Sequence, residues 1–226
     1  MTPILELPAP LDLPDGTPEV TVILIAKETI PGRVKTRLHP PLSLEQAAEL
    51  AAASISDTLA ALAELPAARR ILLFDGVNAP AGSEDYEVVP QVAGDLDERL
   101  AAIFDACSGP TILVGMDTPQ LRASDLAPVF ETWPTDIDAF FGPANDGGFW
   151  AIGMADPRGD LIRGVPMSRA DTGRIQLDRL LDAGLGVHLL PALTDVDEIA
   201  DAHLAATLAP HGSFAATLES FAAVAR

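Results

Sequence analysis

The sequence contains little cysteine, little lysine and no long apolar run. Its single cysteine, Cys107, excludes an internal disulfide and any zinc site built from cysteines. No apolar stretch is long enough to span a bilayer, and the first residues lack the basic and apolar segments of a secretion signal. We therefore expect a cytoplasmic protein without a membrane span.

Basic residues are scarce as well. The 226 residues include 14 Lys and Arg against 33 Asp and Glu, which gives a formal net charge of −19. Binding to duplex nucleic acid requires a broad basic surface, so nucleic acid is not an expected partner. A hydrophobic content of 48% is typical of a globular chain with a substantial core.

Four of the few basic residues nevertheless lie within eleven positions, and they include both lysines of the chain: Lys27, Arg33, Lys35 and Arg37. The rest of the chain is rich in acidic groups, so charge balance does not explain the clustering. Pro31 and Gly32 in the same segment favour a tight loop whose backbone amides face an anion. We interpret the segment as a phosphate-binding loop. The alternative is a surface loop whose cations pair with neighbouring carboxylates.

Apolar runs alternate with helical segments from Val20 onwards. Strands are predicted at 22–26, 71–74, 86–89, 111–114, 139–142, 149–153 and 186–190. Helices are predicted at about 43–65, 95–107, 124 onwards, 172–183 and the C-terminus. This alternation predicts one α/β domain over 20–226, with three layers and a mostly parallel, Rossmann-like sheet. Residues 1–19 contain five prolines and are predicted to form an extended arm, packed on the domain or on the second subunit of a homodimer.

A carboxylate follows a predicted strand at the same sheet edge as the basic loop. Asp117 stands between Gly115 and Pro119 after strand 111–114, and open α/β sheets bind ligands at the carboxyl ends of their strands. Such an aspartate suits Mg²⁺ or Mn²⁺, since hard cations prefer oxygen ligands together with substrate phosphates. The structural alternative is an aspartate that only caps the turn before the next helix.

Two further acidic segments are candidates for this edge. Asp195 and Asp197 follow the last predicted strand and offer a second pair of carboxylates. Alternatively, one of them caps a helix that begins near Glu198. The segment Asp146–Gly148 lies between two strands, where it forms either a plain hairpin turn or a close approach of backbone to a substrate.

Four motifs occur in order along about residues 20–205. They are Lys-x-x-x-Pro-Gly-x-Val-Lys-Thr-Arg-Leu, Gly-x-Asp-x-Pro-x-Leu, Pro-Ala-x-Asp-Gly-Gly-Phe and Asp-Val-Asp. In this combination the chain resembles the DUF2064 family, which has the glycosyltransferase-A (GT-A) fold and is described as nucleotide-diphospho-sugar transferases. More remotely, it is similar to the molybdenum-cofactor guanylyltransferase and the 2-phospholactate guanylyltransferase.

The resemblance implies roles for individual residues. The phosphates of a nucleotide would contact the basic loop at Lys27, Gly32, Arg33, Lys35, Thr36 and Arg37. A divalent ion, Mg²⁺ or Mn²⁺, would be held by Asp117 together with Asp195 or Asp197. The acceptor side would include Asp146, Gly147, Gly148, Ser168 and Arg169. Many relatives have Trp-Ser-Thr where this chain has Met167–Arg169, so Arg169 becomes a candidate for recognising an anion in a different acceptor pocket.

These residues predict a metal-dependent transferase in which Lys35 and Asp117 are catalytic. The first hypothesis is a glycosyltransferase that uses a nucleotide-diphospho-sugar and a small-molecule acceptor. The second is a nucleotidyltransferase, similar to the guanylyltransferases, that acts on a nucleoside triphosphate and a small phosphorylated acceptor. The third is a protein that binds nucleotides without chemistry.

Overall fold

The computed structural model describes residues 19–131, 133 and 137–224. Apart from residue 19, the predicted N-terminal arm lies outside this part of the chain. None of the helices described here is long and apolar enough to cross a membrane.

The described strands form one seven-stranded sheet in the order β3-β2-β1-β4-β6-β5-β7. All neighbouring pairs are parallel except those that involve β6, which is antiparallel to both β4 and β5. The predicted mostly parallel sheet is therefore confirmed. The strands are β1 (Thr21–Lys27), β2 (Arg69–Asp75), β3 (Glu87–Pro90), β4 (Thr111–Gly115), β5 (Ala139–Pro143), β6 (Phe149–Met154) and β7 (Val187–Leu189).

Helices cover both faces of this sheet, as the predicted three layers require. Side chains of a strand alternate between faces. Leu24 accordingly joins one core with residues of α1, whereas Ile23 joins a second core with residues of α2 and α4. The helices are α1 (Leu44–Ala63), α2 (Leu96–Ala106), α3 (Ala123–Phe130), α4 (Thr172–Asp182), α5 (Ile199–Leu208) and α6 (Ser213–Val224), with short 3₁₀ helices at Thr36–Leu38 and Gly159–Leu161.

The start of α1 fixes the exit of the basic loop. The Ser43 hydroxyl accepts a hydrogen bond from the Gln46 amide (3.2 Å), and the Gln46 side chain accepts one from the Ser43 amide (2.8 Å). This reciprocal pair is a capping box, which satisfies two backbone donors that the first turn leaves free. The predicted cap at Ser43 is confirmed.

Strand direction places the candidate residues at one edge of the sheet. β1 ends at Lys27 beside Asp75, the last residue of β2, and β4 ends two residues before Asp117. Because β6 runs in the opposite direction, the β5–β6 hairpin also reaches this edge. The carboxyl ends of the parallel strands and the start of β6 thus surround the same space.

Candidate functional site

A cleft of about 730 Å³ opens at this edge of the sheet. Its walls come from the ends of β1, β2 and β4, the first turns of α2, the segment 167–172 and the segment 195–201. Most of the residues predicted for the site line it, namely Lys27, Arg37, Asp117, Asp146, Gly148, Ser168, Arg169, Asp195 and Asp197. The lining residues do not include Lys35, Gly32, Arg33, Thr36 or Gly147.

The Lys35 ammonium lies at the meeting point of three carboxylates. Its Nζ is 2.7 Å from Asp117 Oδ1 and 3.9 Å from Oδ1 of both Asp195 and Asp197. It also donates a hydrogen bond to the Val196 carbonyl. Only 8% of the Lys35 side chain is exposed, so this charge is held inside the protein. We call Asp117, Asp195 and Asp197 the carboxylate cluster.

The local structure of the basic loop explains why only some of its predicted residues reach the carboxylates. Val34 and Leu38 are buried in two different cores and anchor the loop on both sides of Lys35. Lys35 itself has φ 46° and ψ 39°, a left-handed conformation that is uncommon for residues other than glycine. Gly32, Arg33 and Thr36 are exposed. The loop therefore presents Lys35 and Arg37, but not its other predicted residues, to the carboxylates.

The two acidic segments of the cluster are joined by backbone and side-chain hydrogen bonds. The Val196 amide donates to the Asp117 carbonyl (3.0 Å), and the Gln120 side chain donates to the Thr194 carbonyl (2.8 Å). Val196 is 1% exposed and packs into the core, which fixes the aspartates on either side of it. Carboxylates from two distant parts of the sequence are thereby held as one unit.

The alternative predictions, in which these aspartates cap a turn or the start of a helix, are wrong. The Glu198 and Asp197 amides at the start of α5 donate to Asp201 Oδ2 (2.8 and 3.2 Å), so neither Asp195 nor Asp197 caps this helix. At the start of α3, the Arg122 amide donates to Asp125 Oδ2 (2.9 Å), and Asp117 instead contacts Lys35. The carboxylates that the sequence assigned to a site are thus free of capping roles.

The alternative for the basic loop, in which its cations pair with carboxylates, describes part of the structure. Besides the Lys35 contacts, Arg37 Nη1 donates to Asp197 Oδ2 over 2.7 Å. These carboxylates come from the strand-end segments, however, and the Arg37 side chain remains 69% exposed. The pairing therefore joins the two predicted halves of the site rather than dispersing the cations over the surface.

Burial and mutual repulsion set the charge of the cluster. Burial, together with the negative charge of Asp117, raises the pKa of Asp195 to about 7, although the nearby Lys35 ammonium opposes this shift. Burial alone would lower the pKa of Lys35, but attraction to the cluster outweighs it and raises the pKa. Asp195 Oδ1 is buried and has no hydrogen-bond partner among the described residues.

The donor set of the cluster fits a hard divalent cation. Each of its three carboxylates has an oxygen within 4.0 Å of one point, the Lys35 Nζ, and two of these oxygens, Asp117 Oδ1 and Asp195 Oδ1, are buried without a hydrogen-bond partner among the described residues. Such oxygen ligands are the kind that Mg²⁺ and Mn²⁺ bind. In the side-chain arrangement observed for the described residues, no group of three His, Cys, Asp or Glu residues is ready to hold a metal ion.

The β5–β6 hairpin forms the predicted turn, and its tip reaches the cleft. Asp146 Oδ1 accepts a hydrogen bond from the Gly148 amide (2.9 Å), which stabilises the turn, and Asp146 also lines the cleft. Gly147 has φ 90°, and a Cβ there would lie 2.0 Å from the Ala170 carbonyl oxygen. Glycine is required at this position by both its conformation and the close approach.

The opposite wall, between β6 and α4, carries Ser168 and Arg169. Ser168 has φ 58°, a second left-handed residue other than glycine at the cleft. Arg169 Nε donates to Asp171 Oδ1 (2.9 Å), yet 58% of the Arg169 side chain is exposed. The guanidinium is therefore accessible from the cleft.

Several lining residues were not found by sequence reasoning. The Gln91 side-chain Nε2 donates to the Ala26 and Leu73 carbonyls (2.9 and 3.2 Å), and the side-chain Oε1 accepts from Arg99 Nη1 (3.2 Å). Arg99 also lies 3.7 Å from Asp75 Oδ2. Asp75 follows a predicted strand at the same edge as Asp117, so the strand-end rule could have identified it. The same rule applies to Gln91, which directly follows β3, whereas the position of Arg99 depends on how α2 packs against the sheet.

The strand order, the reversed β6 and the cleft at the carboxyl ends define the fold shared by GT-A transferases and nucleotidyltransferases. The chain belongs to the DUF2064 family of uncharacterized proteins conserved in bacteria, whose model matches residues 51–169, just over half of the chain. The matched region contains Asp117 and Asp146 but neither the basic loop nor Asp195 and Asp197. None of the curated proteins matches the sequence.

Solved structures agree with this fold. A Desulfovibrio desulfuricans G20 protein, named a "putative nucleotide-diphospho-sugar transferase", is 26% identical with TM-score 0.78, over 90% of this chain and 95% of that chain. CMP:2-keto-3-deoxy-manno-octonic acid synthetase, complexed with CTP, is 11% identical with TM-score 0.54, over 85% and 99%. The 2-C-methyl-D-erythritol 4-phosphate cytidylyltransferase of Thermus thermophilus is 17% identical with TM-score 0.51, over 85% and 99%. The two nucleotidyltransferases are similar in fold alone.

Proposed function

We propose that this chain is a metal-dependent glycosyltransferase that uses a nucleotide-diphospho-sugar and a small-molecule acceptor. The observation that carries the proposal is the carboxylate cluster, which lines the cleft at the carboxyl ends of the strands and forms ion pairs with Lys35 and Arg37. The likeness to the Desulfovibrio protein supports a transferase of nucleotide-linked sugars.

The basic side chains would bind the diphosphate of the sugar donor. Lys27 is exposed at the end of β1, and Arg37 reaches the cleft with its planar donors. Both would attract the phosphates and stabilise the charge that develops on the leaving nucleoside diphosphate. Asp117, with Asp195 or Asp197, would hold Mg²⁺ or Mn²⁺, which when bound supplies Lewis-acid stabilisation of that charge.

The opposite wall would bind the acceptor. Asp146 and Ser168 offer oxygen atoms there, and Gly148 allows close approach to the backbone. The exposed Arg169 guanidinium would recognise an anionic group on the acceptor, since arginine matches carboxylate and phosphate geometry. These residues would orient the acceptor, which is how most of the rate would arise in a reaction of this kind.

The test is product analysis on two panels. The protein is incubated with nucleotide sugars and small acceptors, and with nucleoside triphosphates, each with Mn²⁺, with Mg²⁺ and with chelator. We expect cation-dependent release of a nucleoside diphosphate from one nucleotide sugar, and loss of that release in Asp117→Asn. Turnover that persists in chelator would contradict the metal dependence.

The basic loop favours a second candidate, a nucleotidyltransferase. Its Lys-Thr-Arg-Leu segment resembles the loops of enzymes that handle triphosphates, and Lys35 and Arg37 of this segment face the cluster. Release of pyrophosphate from a triphosphate, with no nucleoside diphosphate from nucleotide sugars, would establish this function instead. Tight nucleotide binding that is indifferent to cation and to Asp117→Asn would establish binding without chemistry.

A further inference from the structure

The point at which the carboxylate cluster converges is occupied by a side chain of the protein itself. Lys35 Nζ lies 2.7 Å from Asp117 Oδ1, and the remaining two carboxylates each have an oxygen at 3.9 Å. A side chain that is only 8% exposed and surrounded by acidic groups has no position from which it can contact a ligand in the open cleft. The expected role of Lys35 in gripping phosphates therefore requires it to leave this position.

We propose that Lys35 is an internal counterion that exchanges with the divalent cation. In the free protein the ammonium balances the cluster; when the cation binds, the ammonium leaves the cluster and pairs with the phosphates of the nucleotide. This inference rests on the proposed function, because it takes the cluster to be the cation site and the cleft to be the nucleotide site.

Geometry excludes simultaneous occupation. A Mg²⁺ ion binds carboxylate oxygen at about 2.0–2.1 Å, and it demands near-ideal geometry around itself. An ammonium 2.7 Å from the same Asp117 oxygen would then lie within a few ångströms of the metal ion. Two cations at such a distance repel strongly in a partly buried site, where screening by water is weak. One of the two must therefore move.

The groups that hold the ammonium can release it. Its closest contacts are the Asp117 carboxylate and the Val196 carbonyl, and both are made by the terminal ammonium alone. The lysine stem is a flexible chain of four carbons with a rotatable charge at its end. Val34 and Leu38, which are buried on either side, would keep the backbone of the loop in place while the side chain turns. Arg37 already faces the cleft from the next turn of the same loop.

Exchange makes the two ligands cooperative. The cation must displace a charge, so it binds weakly alone, and the freed ammonium gains a partner only when phosphates are present. Linkage requires that the nucleotide strengthen cation binding by the same factor by which the cation strengthens nucleotide binding.

The first test is a titration with Mn²⁺ alone, followed by electron paramagnetic resonance, on the full chain. Lys35→Met keeps the length of the side chain and removes its charge, so we expect at least tenfold tighter Mn²⁺ binding than in the unaltered protein. Lys27→Met is the matched control. It removes the other lysine of the chain, which lines the cleft, and no described carboxylate forms an ion pair with Lys27. Lys27→Met should change the affinity for Mn²⁺ by less than threefold.

The second test needs no variant, which keeps the proposal testable if Lys35→Met folds poorly. The chain has only two lysines, so acylation of Lys35 can be measured by mass spectrometry against Lys27 in the same molecule. In chelator, Lys35 should react much more slowly than the exposed Lys27. Saturating Mg²⁺ should raise the ratio of Lys35 to Lys27 modification several-fold.

The outcomes separate the two proposals. Equal Mn²⁺ affinity in Lys35→Met and the unaltered protein, or an acylation ratio that saturating Mg²⁺ leaves unchanged, would overturn the exchange and leave the metal-dependent function standing. Failure of Mn²⁺ to bind either protein, with nucleotide absent or present, would overturn both.

Discussion

The two ends of the cleft hold their charges in different ways. At one end, Lys35 and Asp117 are 2.7 Å apart, and the lysine side chain is 8% exposed. At the other, Arg99 and Asp75 are 3.7 Å apart, with 34% and 60% of their side chains exposed. The first pair is fixed before any ligand arrives, whereas the second is loose and open to water. The cleft thus combines a buried cluster of paired charges with an exposed polar end.

The difference follows from what burial does to charge. A buried ion is stable only if it is paired, so loss of either partner leaves a large penalty. An exposed pair gains little, because water solvates each partner almost as well. We therefore expect substitutions at the Lys35 end to have large effects on activity and stability, and those at the Arg99 end to have small ones.

The largest expected effect is on turnover. Asp117→Asn keeps the shape of the side chain but removes its charge, and loss of one such electrostatic contact commonly lowers rates by about 10²–10³. The measurement is kcat/KM with the sugar donor identified on the nucleotide panel. Asp75→Asn is the matched control at the other end and should lower kcat/KM by less than tenfold. Equal losses in the two variants would remove the distinction between the ends.

The next effect is on folding. Lys35→Met leaves a buried cluster of carboxylates without its cation and should lower the free energy of unfolding by about 3 kcal/mol. Urea denaturation in the presence of chelator measures this. The double variant Lys35→Met, Asp117→Asn should recover part of the loss, because it removes one of the carboxylates left unpaired. Additive losses would show that the two side chains do not stabilise each other.

The third effect is a change in stability with pH. The folded-state pKa of Asp195 is raised to about 7 from the ordinary value of 3.8. A raised pKa means that the folded protein binds a proton which the unfolded chain releases, so this contribution to stability is present below about pH 4 and lost as the pH rises to about 7. In chelator, Asp195→Asn should therefore gain stability relative to the unaltered protein over that window. A difference in the free energy of unfolding between the two proteins that does not change with pH would contradict the raised pKa of Asp195.

The smallest effect belongs to the exposed pair. Arg99→Met should change the free energy of unfolding by less than about 1 kcal/mol, since exposed ion pairs contribute little. It should also leave the affinity for Mn²⁺ alone unchanged, because Arg99 contacts Asp75 and Gln91 rather than the carboxylate cluster. A destabilisation as large as that of Lys35→Met would show that this end of the cleft is equally fixed.

Much of the fold could be predicted because its patterns are local. The apolar runs at 22–26 and 111–114 lie within β1 and β4, and Ser43 caps α1 through a residue only three positions away. The rule that ligands bind at strand ends then brought Asp117 and the basic loop to one edge. That part of the site needed no knowledge of side-chain packing.

The partners of individual charges could not be predicted in this way. Lys35 meets Val196 across a separation of 161 residues, and such a pair depends on the assembled sheet. In the sequence the basic residues form a single cluster. In the structure, the buried Val34 and Leu38 and the left-handed backbone of Lys35 give these residues different surroundings. As a result, the lining of the cleft includes Arg37 but not Gly32, Arg33, Lys35 or Thr36, although the sequence motif includes all of them.

The reversed direction of β6 has a consequence for how this scaffold can diversify. β6 is the one described strand that starts at the cleft, so the wall that carries Asp146 is the tip of a hairpin rather than the end of a parallel strand. A longer or shorter hairpin would reshape that wall without shifting the register of β4, which positions Asp117. Under the proposed function, changes in this hairpin would alter the acceptor side of the cleft and leave the position of Asp117 unchanged.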